Sequence, residues 1–235
     1  MKRSTIFKTL CAVAVMTFTC RTAQAQLEIS GFLGGLLPAA AFNDDASNVN
    51  PLAPVLGVTN IGKEASVGFS LGARASYRFD IGYGEVAPFA NVDFMLNRVS
   101  GDYRDAIERL KGDPTSYINI PVLVGVQYSY PLDETFRPFA EFGLGFDMFF
   151  VGAEGWKKAD DPIAKPYYKY NVNNTFAWEV GAGCFFGKFF SAGLYYYGLG
   201  KHAIDYNKKS TPYIQLAENE LRTIGNWALR LGFHF

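Results

Sequence analysis

The stretch from Ile224 to Phe235, IGNWALRLGFHF, decides the fold. Read at every second residue, it gives Ile224, Asn226, Ala228, Arg230, Gly232 and His234. The intervening set is Gly225, Trp227, Leu229, Leu231, Phe233 and Phe235. Side chains of a strand alternate between two faces. This segment therefore divides an oily surface from a small, polar and charged one. Ending on Phe235, the pattern is the one expected of the closing strand of a membrane β-barrel.

Seven more segments alternate in the same way. Gln26–Leu37 sets Leu27, Ile29 and Leu33 against Glu28 and Ser30. Ala65–Phe79 sets Val67, Phe69, Leu71, Ala73, Ala75, Tyr77 and Phe79 against Gly, Ser, Arg74 and Arg78. In Val86–Asn97, Val92, Phe94 and Leu96 oppose Asn91, Asp93 and Asn97. In Ser116–Tyr130, a run of Ile, Val and Tyr opposes Asn119, Gly125, Gln127 and Ser129. In Phe136–Phe150, Phe142, Leu144, Phe146, Met148 and Phe150 oppose Arg137, Glu141 and Asp147. In Thr175–Phe186, Phe176, Trp178, Val180, Ala182, Cys184 and Phe186 oppose Glu179 and two glycines. Phe189–Gly200 is aromatic on both faces, so its register stays open.

The connections alternate in length. Asp80–Glu85, Pro131–Thr135 and Gly187–Lys188 are short, with the Gly, Pro and Asp chemistry of tight turns. Pro38–Glu64, Arg98–Thr115, Val151–Asn174 and Lys201–Thr223 are long. Long and short connections thus fall on opposite ends, with both termini at the short end. The expected fold is all-β, an eight-stranded antiparallel up-and-down transmembrane β-barrel over residues 26–235. A soluble barrel or sandwich also alternates. Here, however, the polar face is mainly Gly, Ser and Asn, with few of the Lys and Glu that a solvated face carries. The apolar face places Phe, Tyr and Trp toward strand ends, as membrane interfaces require.

The first residues fit the same location. Met1–Arg3 and Lys8 are basic, Leu10–Phe18 is a short apolar core, and Ala23-Gln24-Ala25 is a small-residue cleavage site. The reading is a signal peptide over 1–25 and a mature N-terminus at Gln26. A lipidated Cys20 is the weaker alternative, because Thr17-Phe18-Thr19 is a poor approach to it. The leader holds Lys2, Arg3, Lys8 and Arg21 and no acid, so 22 basic residues become 22 − 4 = 18 against 22 acidic ones. A mildly acidic chain does not favour nucleic acid. Cleavage would leave Cys184 as the one cysteine, without an intramolecular disulfide or a cysteine-based metal site. No stretch outside the leader has the ~18 consecutive apolar residues of a spanning helix.

Ser116 to Phe146 reads SYINIPVLVGVQYSYPLDETFRPFAEFGLGF. The Asn-Ile-Pro step, the short turn, Arg-Pro-Phe and the Gly-x-Gly strand resemble the small outer-membrane β-barrel domains common in Bacteroidetes, the PorT-like and OmpX/OmpW-like barrels. The final strand departs from the usual assembly signal, since Gly232 falls late in it. The resemblance implies fold and an outer-membrane location in a Gram-negative bacterium, with periplasmic termini and extracellular long loops. It implies contact with outer-membrane lipid and with the barrel-assembly machinery through the last strand. It implies no activity.

The inward register collects Glu28, Arg74, Arg78, Asp93, Arg137, Glu141, Asp147, Glu179 and Arg230, with His234. Five acids face four arginines. Buried charges must pair, which makes either a polar permeation path or a salt-bridged plug. His202 lies near Asp205 and Ser210, which raises a hydrolase reading, but the spacing matches no motif and the expectation is a solvated loop residue. Two histidines do not make a metal site, and no cofactor motif occurs. Trp156, Lys157, Lys158, Tyr167 and Tyr168 are loop candidates for an unknown surface partner, with an ordinary wet loop as the alternative. Asp44-Asp45 and Asp160-Asp161 lack the ligand count calcium takes. Tyr103–Lys111 suggests a helical turn or two. The sequence thus points to a non-enzymatic barrel with a structural or surface-interaction role. A narrow channel for small or apolar solutes is the alternative, and a lipid-modifying enzyme a more distant one.

Overall fold

The computed structural model describes residues 26–40, 65–101, 104–105, 116–133, 135–151, 154–155, 167–170, 174–206 and 221–235. The predicted leader, most of each long loop, Trp156, Lys157, Lys158 and the two Asp-Asp pairs lie outside them. The long strands are β1 (Gln26–Ala40), β2 (Ala65–Asp80), β3 (Glu85–Val99), β4 (Tyr117–Ser129) and β5 (Phe136–Val151). Two short strands follow, β6 (Glu154–Gly155) and β7 (Tyr167–Tyr170), then β8 (Asn174–Phe186), β9 (Phe190–Tyr206) and β10 (Leu221–His234). The eight long strands pair antiparallel in the order β1-β2-β3-β4-β5-β8-β9-β10, and β10 returns to β1. The ring is closed and leaves no free sheet edge, which is the condition for strands to cross lipid.

The ladder fixes how far the ring is staggered. From Ile29 it runs through Ala75, Ala90, Val124, Leu144, Trp178 and Gly198 to Gly225. The amide of Phe235 donates to the carbonyl of Ile29. One circuit therefore climbs ten residues along β10, from Phe235 to Gly225. Closure with such a stagger tilts the strands by about 40° from the barrel axis. Strands of 13 to 17 residues then span roughly 32–42 Å of axis at about 3.3 Å per residue, more than the ~25 Å apolar band of an outer membrane.

The outer face is that band. Leu33, Leu71, Val124, Phe142, Leu144, Val180, Leu229 and Leu231 all stand exposed. Aromatic pairs mark its margins. At the short-turn end Tyr77–Phe79, Phe136–Phe186 and Phe190–Phe233 meet at 4.9, 5.7 and 5.5 Å. Toward the loops Tyr196 lies 5.3 Å from Trp178 and 4.9 Å from Trp227. Strand nine, whose register both faces left open, turns Tyr195, Tyr197 and Leu199 inward and Leu194 outward.

The short turns form as their residues dictate. Asp80 Oδ1 accepts from the amide of Gly82, and Asp133 Oδ1 accepts from those of Thr135 and Phe136. These are side-chain turns of the kind Asp favours. Gly82 and Gly187 take positive φ (84° and 66°) at the bends. On the opposite end, β9 runs past the barrel ring and β7 pairs with it, Tyr168 opposite Tyr206, extending the sheet there.

Candidate functional site

Among the described residues, charged side chains converge in the lumen, and they are layered there. At the short-turn end, Arg78 reaches Glu28 at 2.5 Å and Glu85 at 3.5 Å, and Arg137 reaches Glu85 at 2.7 Å. Glu85 was read as the end of a turn; it is the first residue of β3 and completes this layer. His234 joins the layer through Nδ1, whose proton is donated to Glu28 at 2.8 Å. Its Nε2 lies 2.8 Å from Ser191 Oγ. This Ser–His–Glu chain ties β9, β10 and β1 together, while Arg78 holds the far oxygen of Glu28.

The middle layer is the densest. Arg74 grips Glu141 with both terminal nitrogens, one at 2.8 Å, and stands 3.6 Å from Glu179. Gln127 donates to the same carboxylate at 2.7 Å. Arg230 stands 3.6 Å from Asp93 and 3.5 Å from Glu179, and donates to the hydroxyl of Tyr197. Asn91 donates to Asp93 and Glu179. Aromatic faces sandwich both guanidinium groups: Phe89 lies 3.9 Å from Arg74, and Phe32 and Tyr195 lie 4.0 and 4.4 Å from Arg230. Arg74, Glu141, Glu179, Arg230 and Asp93 are all buried. Glycines make room for this packing. A Cβ on Gly72 would overlap the Asp93 carboxylate, and one on Gly181 would fall into the Tyr195 ring.

Eight of the nine charges expected to face inward therefore find an opposite charge. The ninth, Asp147, does not meet an arginine among the described residues. It is buried in the loop-side third, where its nearest charge-capable partner is His202 at 3.6 Å. That placement corrects the reading of His202 as a solvated loop residue. Its ring is fully buried, 4.5 Å from Phe149, and Nε2 donates to the carbonyl of Leu199 at 2.9 Å. The cause is a bulge. Gly200 takes φ +84°, and the β9–β10 register slips between Thr223 and Gly225. One extra residue reverses the alternation. Lys201 consequently turns out and His202 turns in. Asp205 lies on β9, and Ser210 lies outside the described residues.

The inward face is also less polar than the alternation implied. Leu36, Met95, Tyr117, Phe149, Leu199 and Ile224 stand in the loop-side third among the polar side chains. Of the loop candidates, Tyr167 and Tyr168 fall on β7. Cys184 is a buried free thiol. Among the described residues no three His, Cys, Asp or Glu side chains converge as metal ligands.

A closed eight-stranded antiparallel barrel, apolar outside and charged within, defines an outer-membrane β-barrel. No family model and no curated protein matches the sequence. Among solved structures, the chain is similar to neisserial surface protein A at 13% identity, over 89% of this chain and 97% of that one, with a TM-score of 0.49. OprG of Pseudomonas aeruginosa is similar at 12% identity, 89% and 95% coverage and a TM-score of 0.46. The outer membrane enzyme PagL is similar at 14%, 87% and 97%, with a TM-score of 0.44. At such values these likenesses say nothing of activity.

Proposed function

We propose that this chain serves the outer membrane of a Gram-negative bacterium as a closed, non-enzymatic barrel, in a structural or surface-interaction role exercised through its long loops. The observation that carries the reading is the middle layer of the lumen. Two arginines, three acids and the rings around them fill the cross-section with buried, mutually paired groups. An eight-stranded interior has room for packed side chains and little more. A free aqueous path would need these pairs to part, leaving charges without partners.

In this reading the termini are periplasmic and the long loops extracellular. The outer face meets membrane lipid, and β10 is the strand the assembly machinery engages. A surface partner would be met by the loop that carries Trp156, Lys157, Lys158, Tyr167 and Tyr168. The Ser116–Phe146 stretch supports kinship with the PorT-like and OmpX/OmpW-like barrels. The test is a planar bilayer recording with the purified barrel, together with protease treatment of intact cells. Absence of stepwise conductance and cleavage confined to the long loops are expected. Stable, porin-like conductance would replace this reading with that of a narrow channel, and cleavage only after cell lysis would overturn the orientation.

A further inference from the structure

The loop-side third of the lumen differs from the layers below it. Asn97, Asn119, Asp147, His202 and Asn226 are each fully buried there. Among the described residues, eight of their polar atoms lack a hydrogen bond of good geometry: Oδ1 of Asn97, both amide atoms of Asn119 and of Asn226, both carboxylate oxygens of Asp147, and Nδ1 of His202. Buried polar atoms without partners are costly, and eight in one compartment call for an occupant. With about one and a quarter residues of climb per strand, Asn119 on β4, Asp147 on β5 and Asn226 on β10 come to one level within a residue. Asn97 and His202 stand above them.

The chemistry of the orphan atoms selects the occupant. Six of the eight are acceptors, and only the two amide nitrogens donate. Nδ1 of His202 counts as an acceptor because Nε2 carries the proton given to Leu199. Every other lumen acid has an arginine within 4 Å; Asp147 has none among the described residues. An acceptor-rich compartment around an uncompensated carboxylate repels anions and attracts a cation. Its orphan donors are one carboxylate, amide oxygens and a single imidazole, with no thiolate. That is an oxygen set for a hard cation such as calcium, magnesium or manganese(II), and a poor one for copper or zinc.

We propose that this compartment binds a small hard cation that keeps part of its water shell, with Asp147 as its anionic anchor and Asn119 and Asn226 as neutral ligands. This goes beyond the structural role proposed above and does not depend on it. With a single carboxylate, the dissociation constant should be on the order of 1 mM, the weak end of calcium-type sites.

The test uses the full mature barrel refolded in detergent, with heat-modified gel migration as the unfolding readout. CaCl2, MgCl2 and NaCl are compared with choline chloride at matched ionic strength. At ~10 mM, a cation of that affinity should raise the midpoint by about 3–5 °C. Asp147→Asn should abolish the shift, and Asn119→Leu, which keeps the carboxylate, should reduce it. Manganese(II) titrated into the unmutated barrel and followed by electron paramagnetic resonance should bind one ion per chain. The result stands without Asp147→Asn if that variant does not refold. No shift beyond the choline control together with no bound manganese overturns the proposal. So does an undiminished shift in Asp147→Asn.

Discussion

Replacing Arg230 by Ala is the sharpest test of the sealed lumen. Arg230 is 2% exposed and stands 3.6 Å from Asp93 and 3.5 Å from Glu179. At an effective dielectric of about 20, each such pair is worth roughly 4–5 kcal/mol of gross attraction. The net loss is smaller, because Asp93 keeps Asn91 at 3.1 Å and Glu179 keeps Arg74 at 3.6 Å. Breaking a buried pair from one side costs about 3–5 kcal/mol, since the partner charge stays behind. The stacking of the guanidinium on Phe32 and Tyr195 adds about 1–2 kcal/mol. A loss of about 4–7 kcal/mol is therefore expected in urea unfolding of the barrel in lipid vesicles. The charge argument is isolated by a double-mutant cycle with Asp93→Asn. Neutralising the acid removes the orphaned charge, so the double variant should be more stable than the sum of the single losses by at least about 1.5 kcal/mol. A single loss under about 1 kcal/mol, or strict additivity, would refute a paired, water-excluding layer.

Three further outcomes follow from the same geometry. Leu229 faces outward in mid-strand, so Leu229→Arg should cost about 2–4 kcal/mol in the vesicle assay, whereas a soluble barrel would be unaffected by it. Gly181→Val should overpack Tyr195 and cost at least about 1–3 kcal/mol, while Gly31→Ala, with open space around the added Cβ, should refold as the parent does. Deleting Gly200 should remove the extra residue and leave a regular ladder in which Lys201 still faces out and His202 still faces in; spin labels at 201 and 202 should keep their access to lipid-soluble quenchers and water, and exchanged access would count against the bulge.

Much of this architecture is legible in the chain itself. A strand has a side-chain period of two, so Glu28, Arg74, Asp93, Glu141, Glu179 and Arg230 declare their inward register from local sequence. Short and long connections declare the up-and-down order. Pairing across the lumen is a different matter. Arg74 and Glu141 are 67 residues apart, and only the ten-residue stagger of the closed ring brings them to one height. Strand nine could not be oriented alone, because both of its faces are aromatic. The partners Trp178 opposite Gly198 and Tyr196 opposite Trp227 settle it. Glu85 resembled a turn residue until β3 took it. His202 was hidden by a single glycine, since one inserted residue reverses every facing beyond it and leaves no mark on composition. Local sequence thus determined which surface seven of the eight long strands show to lipid, because alternation is a property of the backbone. Tertiary structure alone decided who meets whom inside, because stagger and bulge are properties of the closed ring.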